Sequence, residues 1–456
     1  MRFLTPLGSV GALVGAGYAS GLPAADLEAF VTGIDWQSVI GGVGRRSLQP
    51  IEQKRLGTAA STSAELGFRE NQVVTAGGLT NTSAIDDVLR TYVARARMVP
   101  DFDQLPIPYR AVATDMVTGD MVVLKSGDLA TAMRASMAIP GAFAPVALDK
   151  YILADGGMVR NIPVDIARET CADVVIVVNL VEPSTPPERL VQATQLLARS
   201  MDVMLVANER AQLATLTERD ILIDVPTGDI GTADFTRIAE TVPLGESAAR
   251  LVADRLAALA VPEQEYAAWG VRVTTKQAVE TRVADVRVEG LERANVDYLR
   301  TFTRIRPGDT VDIAAISADA GQMSALDDIE SVAYRLEGDL DNPALVWLPT
   351  EASIGPNVLR PSLGVHASGG GDLNFLLGVQ HVRRWLNPRG GQWRNNVQLG
   401  YETLLTTSFY QPFDVAQRSF VEPALFGNRG AEDVYIDGNR FADTASSISA
   451  HVSISE

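Results

Sequence analysis

A chain of 456 residues is too long for one ordinary core and points to two or three folded units. Hydrophobic residues make up 46% and charged residues 21%, which excludes a disordered chain. A net charge of -17 argues against a nucleic-acid partner, which needs a basic face, and one cysteine, Cys171, rules out an internal disulfide.

The first region, residues 1–262, alternates helical and strand-like segments. The opening residues are too short and broken to read as a secretory signal. Gly11–Ser20 is small and apolar and predicts a buried helix; Asp26–Val31 opens another. Tyr109–Asp115 and Met121–Leu124 read as strands joined by the turn Val117-Thr118-Gly119-Asp120. Val174–Leu180 is an apolar, β-branched run expected to lie buried on both faces of a parallel sheet, with Cys171 buried just ahead of it. A helix is expected over Leu190–Asn208. Such alternation implies an α/β layered fold.

Residues 280–350 begin with Val286 and Val288 alternating with charged residues. Helical stretches at Val296–Phe302 and Ile313–Leu326 follow, then strands at Asp328–Leu336 and Ala344–Leu348, giving a small β-α-α-β-β module. Residues 355–456 carry period-2 runs such as Val397, Leu399, Tyr401 and Ile448, Ala450, Val452, Ile454. These suit antiparallel strands with one apolar and one polar face, five or six in number. Either a membrane barrel or a soluble β-sandwich produces this periodicity. No apolar run approaches the ~18 residues of a spanning helix.

Two segments of the first region carry chemistry. Ser9 sits in Leu7-Gly8-Ser9-Val10-Gly11, where small neighbours permit a sharp strand-to-helix turn and a helix start offers amides to an oxyanion. A helix start with a serine cap gives the same pattern. Asp155, in Ala154-Asp155-Gly156-Gly157, ends a short apolar strand and projects with little shielding, or is simply a turn aspartate. The histidines are His366, His381 and His451, so a Ser9 nucleophile would take a carboxylate as its base. Asp35-Trp36 and Arg45-Arg46 read as solvated loop or lid elements, Asp115 and Asp120 as turn residues, and Met201–Met204 as helix core.

Gly8-Ser9-Val10-Gly11-Ala12-Leu13-Val14-Gly15 with Tyr18-Ala19-Ser20-Gly21 resembles the nucleophile elbow and following helix of bacterial patatin-like phospholipases. Arg134-Ala135-Ser136-Met137-Ala138-Ile139-Pro140-Gly141, with Phe143 and Pro145, resembles the segment before their catalytic aspartate. Asp155-Gly156-Gly157, with Asn161 and Pro163, resembles their D-G-G/A block. The resemblance implies a three-layer α/β/α hydrolase, a Ser9–Asp155 dyad, no metal or cofactor, and an acyl-ester lipid such as a phospholipid as substrate. The family's glycine-rich oxyanion loop has no counterpart in the residues ahead of Ser9, and Leu7 stands at the first elbow glycine.

Residues 280–350 resemble a POTRA domain in Val286-Arg287-Val288-Glu289-Gly290 and Arg306-Pro307-Gly308-Asp309. Residues 355–456 resemble the opening strands of a surface-antigen β-barrel in Trp385-Leu386-Asn387, Trp393-Arg394-Asn395 and Phe409-Tyr410-Gln411-Pro412. The order is similar to that of patatin-like autotransporters, which implies a chain truncated at both ends. Full-length relatives would be secreted and would contact the outer membrane of a Gram-negative bacterium through the barrel. The alternative expectation is a catalytically inactive remnant, or an outer-membrane assembly module.

Overall fold

The computed structural model describes residues 5–7, 9–41, 48–50, 53–54, 65–69, 72–75, 82–97, 99–170, 172–181, 191–231, 234–274, 281–338, 342–367, 373–400, 402–436 and 439–455. Gly8, Arg45, Arg46 and Cys171 lie outside them, as do the side chains of Val10 and Met201.

In chain order the first region opens with β1 (Thr5–Leu7), α1 (Ser9–Ala19), α2 (Ala24–Gly33), α3 (Trp36–Gly41), β2 (Leu66–Arg69), β3 (Gln72–Thr75) and α4 (Thr82–Tyr92). It continues with β4 (Tyr109–Asp115), β5 (Met121–Leu124), α5 (Leu129–Ser136), β6 (Val146–Leu148), β7 (Tyr151–Asp155), α6 (Gly157–Arg160) and α7 (Val164–Glu169). After these come β8 (Ile176–Val181), α8 (Ala193–Leu213), β9 (Ile221–Pro226) and α9 (Ile238–Leu251).

A five-stranded mixed sheet organises this region, with β4 at its centre and buried along its whole length. One edge of β4 pairs antiparallel with β5. Its other edge is shared: β1 pairs parallel over Tyr109–Ala111 and β7 antiparallel over Ala113–Asp115. Helix α1 lies against β4 because its inward positions are small: Ala12, Ala16 and Ala19 are buried. The Tyr109 hydroxyl donates to the Ala12 carbonyl at 3.0 Å, which fastens helix to strand. A Cβ on Gly17 would sit 2.2 Å from the Tyr92 hydroxyl, so only glycine lets α4 approach.

Several of these expectations need correction. The run at β8 pairs in parallel with β9 alone among the described strands, and Val177 is buried while Ile176, Val178 and Leu180 are exposed. The cover comes from α9, whose apolar cluster sits on the Ile221, Ile223 and Val225 side chains of β9 and stops short of its neighbour. Among the described strands the α/β region is therefore divided between two sheets, and most of the larger one is antiparallel. Trp36 is not solvated: it is buried, packs at a tilt against Phe235 with ring centroids 5.3 Å apart, and donates to the Val31 carbonyl at 3.1 Å. Met204, expected in a helix core, is exposed.

The middle region holds β10 (Thr281–Arg282), β11 (Asp285–Val288), α10 (Val296–Arg300), β12 (Thr310–Val311), α11 (Ile313–Ser324), β13 (Ile329–Glu337) and β14 (Ala344–Glu351). The helices and the closing strand pair stand where the sequence places them. Their sheet runs β11-β14-β13 around the fully buried Trp347. Asp319, itself buried, accepts from the Thr303 hydroxyl and from the Arg304 and Ile305 amides, satisfying a loop that would otherwise bury free donors. This region packs on the first one: the Arg90 guanidinium lies 5.1 Å over the Tyr334 ring and Arg97 donates to Thr281.

The last region is an antiparallel ladder of β15 (Asn357–Ala367), β16 (Leu373–Arg383), β17 (Gln392–Gly400), β18 (Glu402–Pro412), β19 (Phe420–Ile436) and β20 (Asn439–Ser455). These are six strands, and two more join them from the first region: β2 pairs with β15 and β3 with β2. Strands β2 and β3 thus belong to the C-terminal sheet by pairing, although they fall inside 1–262. The eight-stranded sheet is open, not a closed barrel, among the described strands.

The two faces of that sheet differ in a way periodicity could not decide. Leu363, Leu377 and Leu399 lie side by side in register, as do Val379, Val397 and Leu405, and all six are exposed. Across β19 and β20 the same face shows Leu425, Ile448, Val452 and Ile454, also exposed. The opposite face buries Arg360, Gln380, Arg394 and Ser408 in a hydrogen-bonded network. There Arg394 and Ser408 hold Glu422, and Arg360 bridges to Gln380, Glu65 and Asp327. The sheet is apolar outward and polar inward.

Candidate active site

The shared edge of β4 creates the site. β1 runs up that edge and ends with Leu7 opposite Ala111, while β7 runs down it and ends with Asp155 opposite Ala113. The two strand tips meet head to head, two residues of β4 apart, roughly 7 Å. Ser9 follows the tip of β1 and Asp155 is the tip of β7.

The meeting is close. Ser9 Oγ donates to Asp155 Oδ2 at 2.8 Å. Ser9 has φ +52°, a left-handed conformation that costs a non-glycine residue energy and is found at sharp functional turns. Helix α1 starts at that residue, and its first-turn amides have no acceptor within the helix. Among the sequence-predicted elbow residues Gly11 is half-buried in the first turn, and Gly8 lies outside the described residues.

Asp155 is 5% exposed. Its Oδ1 accepts the Gly157 amide at 2.6 Å, so both carboxylate oxygens are engaged. Burial pushes the carboxyl up to about 6, against the opposing pull of the Ser9 hydroxyl and the Gly157 amide. The glycines after it are required by space. A Cβ on Gly156 would lie 1.9 Å from the Val112 carbonyl oxygen, and one on Gly157 would lie 2.9 Å from Asp155 Oδ1.

Beyond the pair, the sequence does not single out Thr114 and Ser136, although both hold backbone around Asp155. Thr114 Oγ1 donates to the Asp155 carbonyl at 2.7 Å and Ser136 Oγ to the Val112 carbonyl at 2.6 Å. Their hydroxyls leave no trace in a hydrophobic pattern. Arg134, in the expected flanking block, is buried against the Phe143 ring and donates to the Ala144 carbonyl. Asn161 donates to Glu209 of α8 at 2.5 Å. Asp115 accepts from the Val117 and Ile152 amides and the Thr118 hydroxyl, so it holds its turn. No group of three or more His, Cys, Asp or Glu side chains among the described residues is placed to hold a metal ion.

A serine at a left-handed strand-to-helix turn, hydrogen-bonded to a buried carboxyl, invites comparison with known hydrolases. Residues 9–168 match the family model of patatin-like phospholipases. The patatin-like region is also similar to an uncharacterised NTE family protein of Mycobacterium tuberculosis, 39% identical over 116 residues, which cover 25% of this chain and 31% of that protein. A second NTE family protein of that organism is 32% identical over 175 residues, covering 32% of this chain and 29% of its own. Patatin-like phospholipase domain-containing protein 7 of Mus musculus is 38% identical over 80 residues, 17% of this chain and 6% of that one. The chain thus spans about a third or less of the length of the curated relatives it matches. Among solved structures, BamA from Haemophilus ducreyi lacking POTRA domains 1–3 aligns over 38% of this chain and 32% of its own. Its TM-score is 0.29 at 16% identity, too low to define a shared fold.

Proposed function

We propose that the chain hydrolyses acyl ester bonds of phospholipids through a Ser9–Asp155 dyad. The observation that carries this reading is the 2.8 Å hydrogen bond from a left-handed Ser9 to a buried Asp155. The family match of residues 9–168 supports a lipid ester as the substrate class. All three histidines stand at 366, 381 and 451 in the C-terminal sheet, which leaves the carboxylate as base.

In this reading Asp155 Oδ2 takes the Ser9 proton as Oγ bonds to the ester carbonyl carbon. The amides opening α1 face the carbonyl oxygen as it gains charge. Collapse breaks the bond to the lipid alkoxide, which receives the proton from Asp155, and leaves an acyl group on Ser9. Water then gives a proton to Asp155 and its oxygen to the acyl carbon; the acyl–Oγ bond breaks, Oγ takes that proton back from Asp155, and the fatty acid leaves. The direct assay compares the chain with Ser9→Ala and Asp155→Asn on a short-chain p-nitrophenyl ester and on phosphatidylcholine. Loss of ~10⁴-fold or more in kcat is expected for each, as for other paired catalytic groups. Folded Ser9→Ala protein with undiminished hydrolysis overturns the dyad.

A second reading concerns the C-terminal sheet, residues 355–456, as a membrane-facing unit beside a hydrolase region over 1–262 and a POTRA-like module over 280–350. Its support is the apolar outward face described above, which is the polarity of a lipid-facing β-sheet. At one end that face carries a polar and aromatic row. Trp393 donates to Thr407, Thr407 to Asn395, and the Asn395 amide lies 3.1 Å from His381 Nδ1. Rows of this kind suit the boundary between lipid and water.

A further inference from the structure

Asp155 is the last ladder residue of β7, and strand ends open easily. Its backbone is nevertheless held on three sides. The Thr114 hydroxyl donates to its carbonyl at 2.7 Å, the Ala138 carbonyl accepts its amide at 2.9 Å, and the Ser136 carbonyl accepts the next amide, that of Gly156, at 3.0 Å. The Ser136 hydroxyl donates in turn to the Val112 carbonyl, the oxygen against which Gly156 is pressed. Thr114 is 3% exposed and Ser136 is fully buried. One hydroxyl, from the middle strand, therefore fixes the Asp155 carbonyl itself, and a second, from the end of α5, ties the segment that holds Gly156 to the Val112 carbonyl of β4.

We propose that Thr114 and Ser136 are positioning residues that hold the Asp155 carboxylate on the Ser9 hydroxyl. The proposal rests on the dyad reading. Both hydroxyls donate to main-chain carbonyls, Thr114 to that of Asp155 and Ser136 to that of Val112 beside Gly156. The geometry is exacting because a proton moves over one hydrogen bond. A misplacement of about 1 Å in such a pair costs ~10²-fold in rate.

Thr114→Val keeps the shape and removes only the donor, Thr114→Ser restores it, and Ser136→Ala removes the second hydroxyl. Each full-length variant is assayed on a p-nitrophenyl ester, with circular dichroism and a thermal melt to show that it is folded. For Thr114→Val and Ser136→Ala, kcat is expected to fall ~10–100-fold with KM little changed, and Thr114→Ser to recover most of the rate. A role confined to packing would lower Tm and leave kcat of the folded protein unchanged, which overturns the clamp. If Thr114→Val fails to fold, Ser136→Ala carries the same reading. Asp155→Asn separates the two levels: if it is as active as the parent, the dyad falls and the clamp with it. If it is inactive while folded Thr114→Val and Ser136→Ala keep full kcat, the clamp alone falls.

Discussion

At the scale of single residues, the site joins a strained serine to a carboxyl that burial makes more basic. A carboxyl near 6 is a better base than an exposed aspartate and still ionised at neutral pH. On the dyad reading, kcat/KM is expected to rise with pH through about 6 and then level; a profile flat from pH 5 to 8 would contradict Asp155 as the base. The same shift carries a stability cost. The folded pKa lies above the unfolded one, so the folded state binds more protons between about 4 and 6 and loses stability as pH rises across that window. The cost at pH 8 is of the order of 3 kcal/mol for a shift of about two units. Asp155→Asn, which keeps an acceptor for Gly157 and cannot ionise, is therefore expected to be more stable than the parent at pH 8. That advantage should shrink toward zero by pH 4 in paired urea melts. An advantage independent of pH would show that desolvation is not its origin.

At the scale of elements, α5 illustrates how one side chain serves two purposes. Asp128 caps the helix by accepting the Thr131 amide at 3.0 Å and also pairs with the buried Arg90 at 2.9 Å. Asp128→Ala removes the cap, worth about 1 kcal/mol, and takes an anionic partner from a buried guanidinium, which typically costs about 3 kcal/mol. A drop of at least 2 kcal/mol in unfolding free energy is expected, with Asp128→Asn intermediate because it still caps. Equal losses for the two variants would assign the whole effect to the ion pair. Elements of this sort were legible to different degrees. β4 and β5 were readable because an apolar run, a Thr-Gly-Asp turn and a second apolar run lie adjacent in the chain. The helix after Ser9 was readable from its small residues. The exposure of β8 was not, because an apolar run does not reveal whether a covering helix reaches it. Nor was the place of β2, whose partner Val358 is distant in sequence and whose four residues show no useful period. For the site, Ser9 and Asp155 stood out by their glycine-rich surroundings, whereas Thr114 and Ser136 became visible only with the backbone atoms they hold.

At the scale of the whole molecule, the distribution of polarity over the C-terminal sheet is the feature that separates the two folds its periodicity allowed. A soluble sandwich would bury Leu363, Leu377, Leu399 and their neighbours and expose the arginines. Here the arginines are inside, joined to acids from all three regions, and the leucines are outside. Arg384 binds Asp327 and Asp328 of the middle region, and Arg360 binds Glu65 of the first, so the polar face doubles as the joint of the molecule. Among the described residues no helix is long and apolar enough to cross a membrane. The reading is tested by flotation with phospholipid vesicles. The parent chain is expected to rise with the vesicles. Leu377 lies mid-face with neighbours Leu363 and Leu399, and an arginine there would meet hydrocarbon at a cost of about 2–4 kcal/mol near the bilayer centre. Leu377→Arg should therefore lower the partition constant onto the vesicles by ~30-fold or more. Ser449→Arg changes the charge equally, but on the opposite face, since Ser449 pairs with Phe426 rather than with the leucine rows. It should float as the parent does. If both variants float equally well, the apolar face is not the lipid contact; if both lose flotation together, net charge rather than the face controls it.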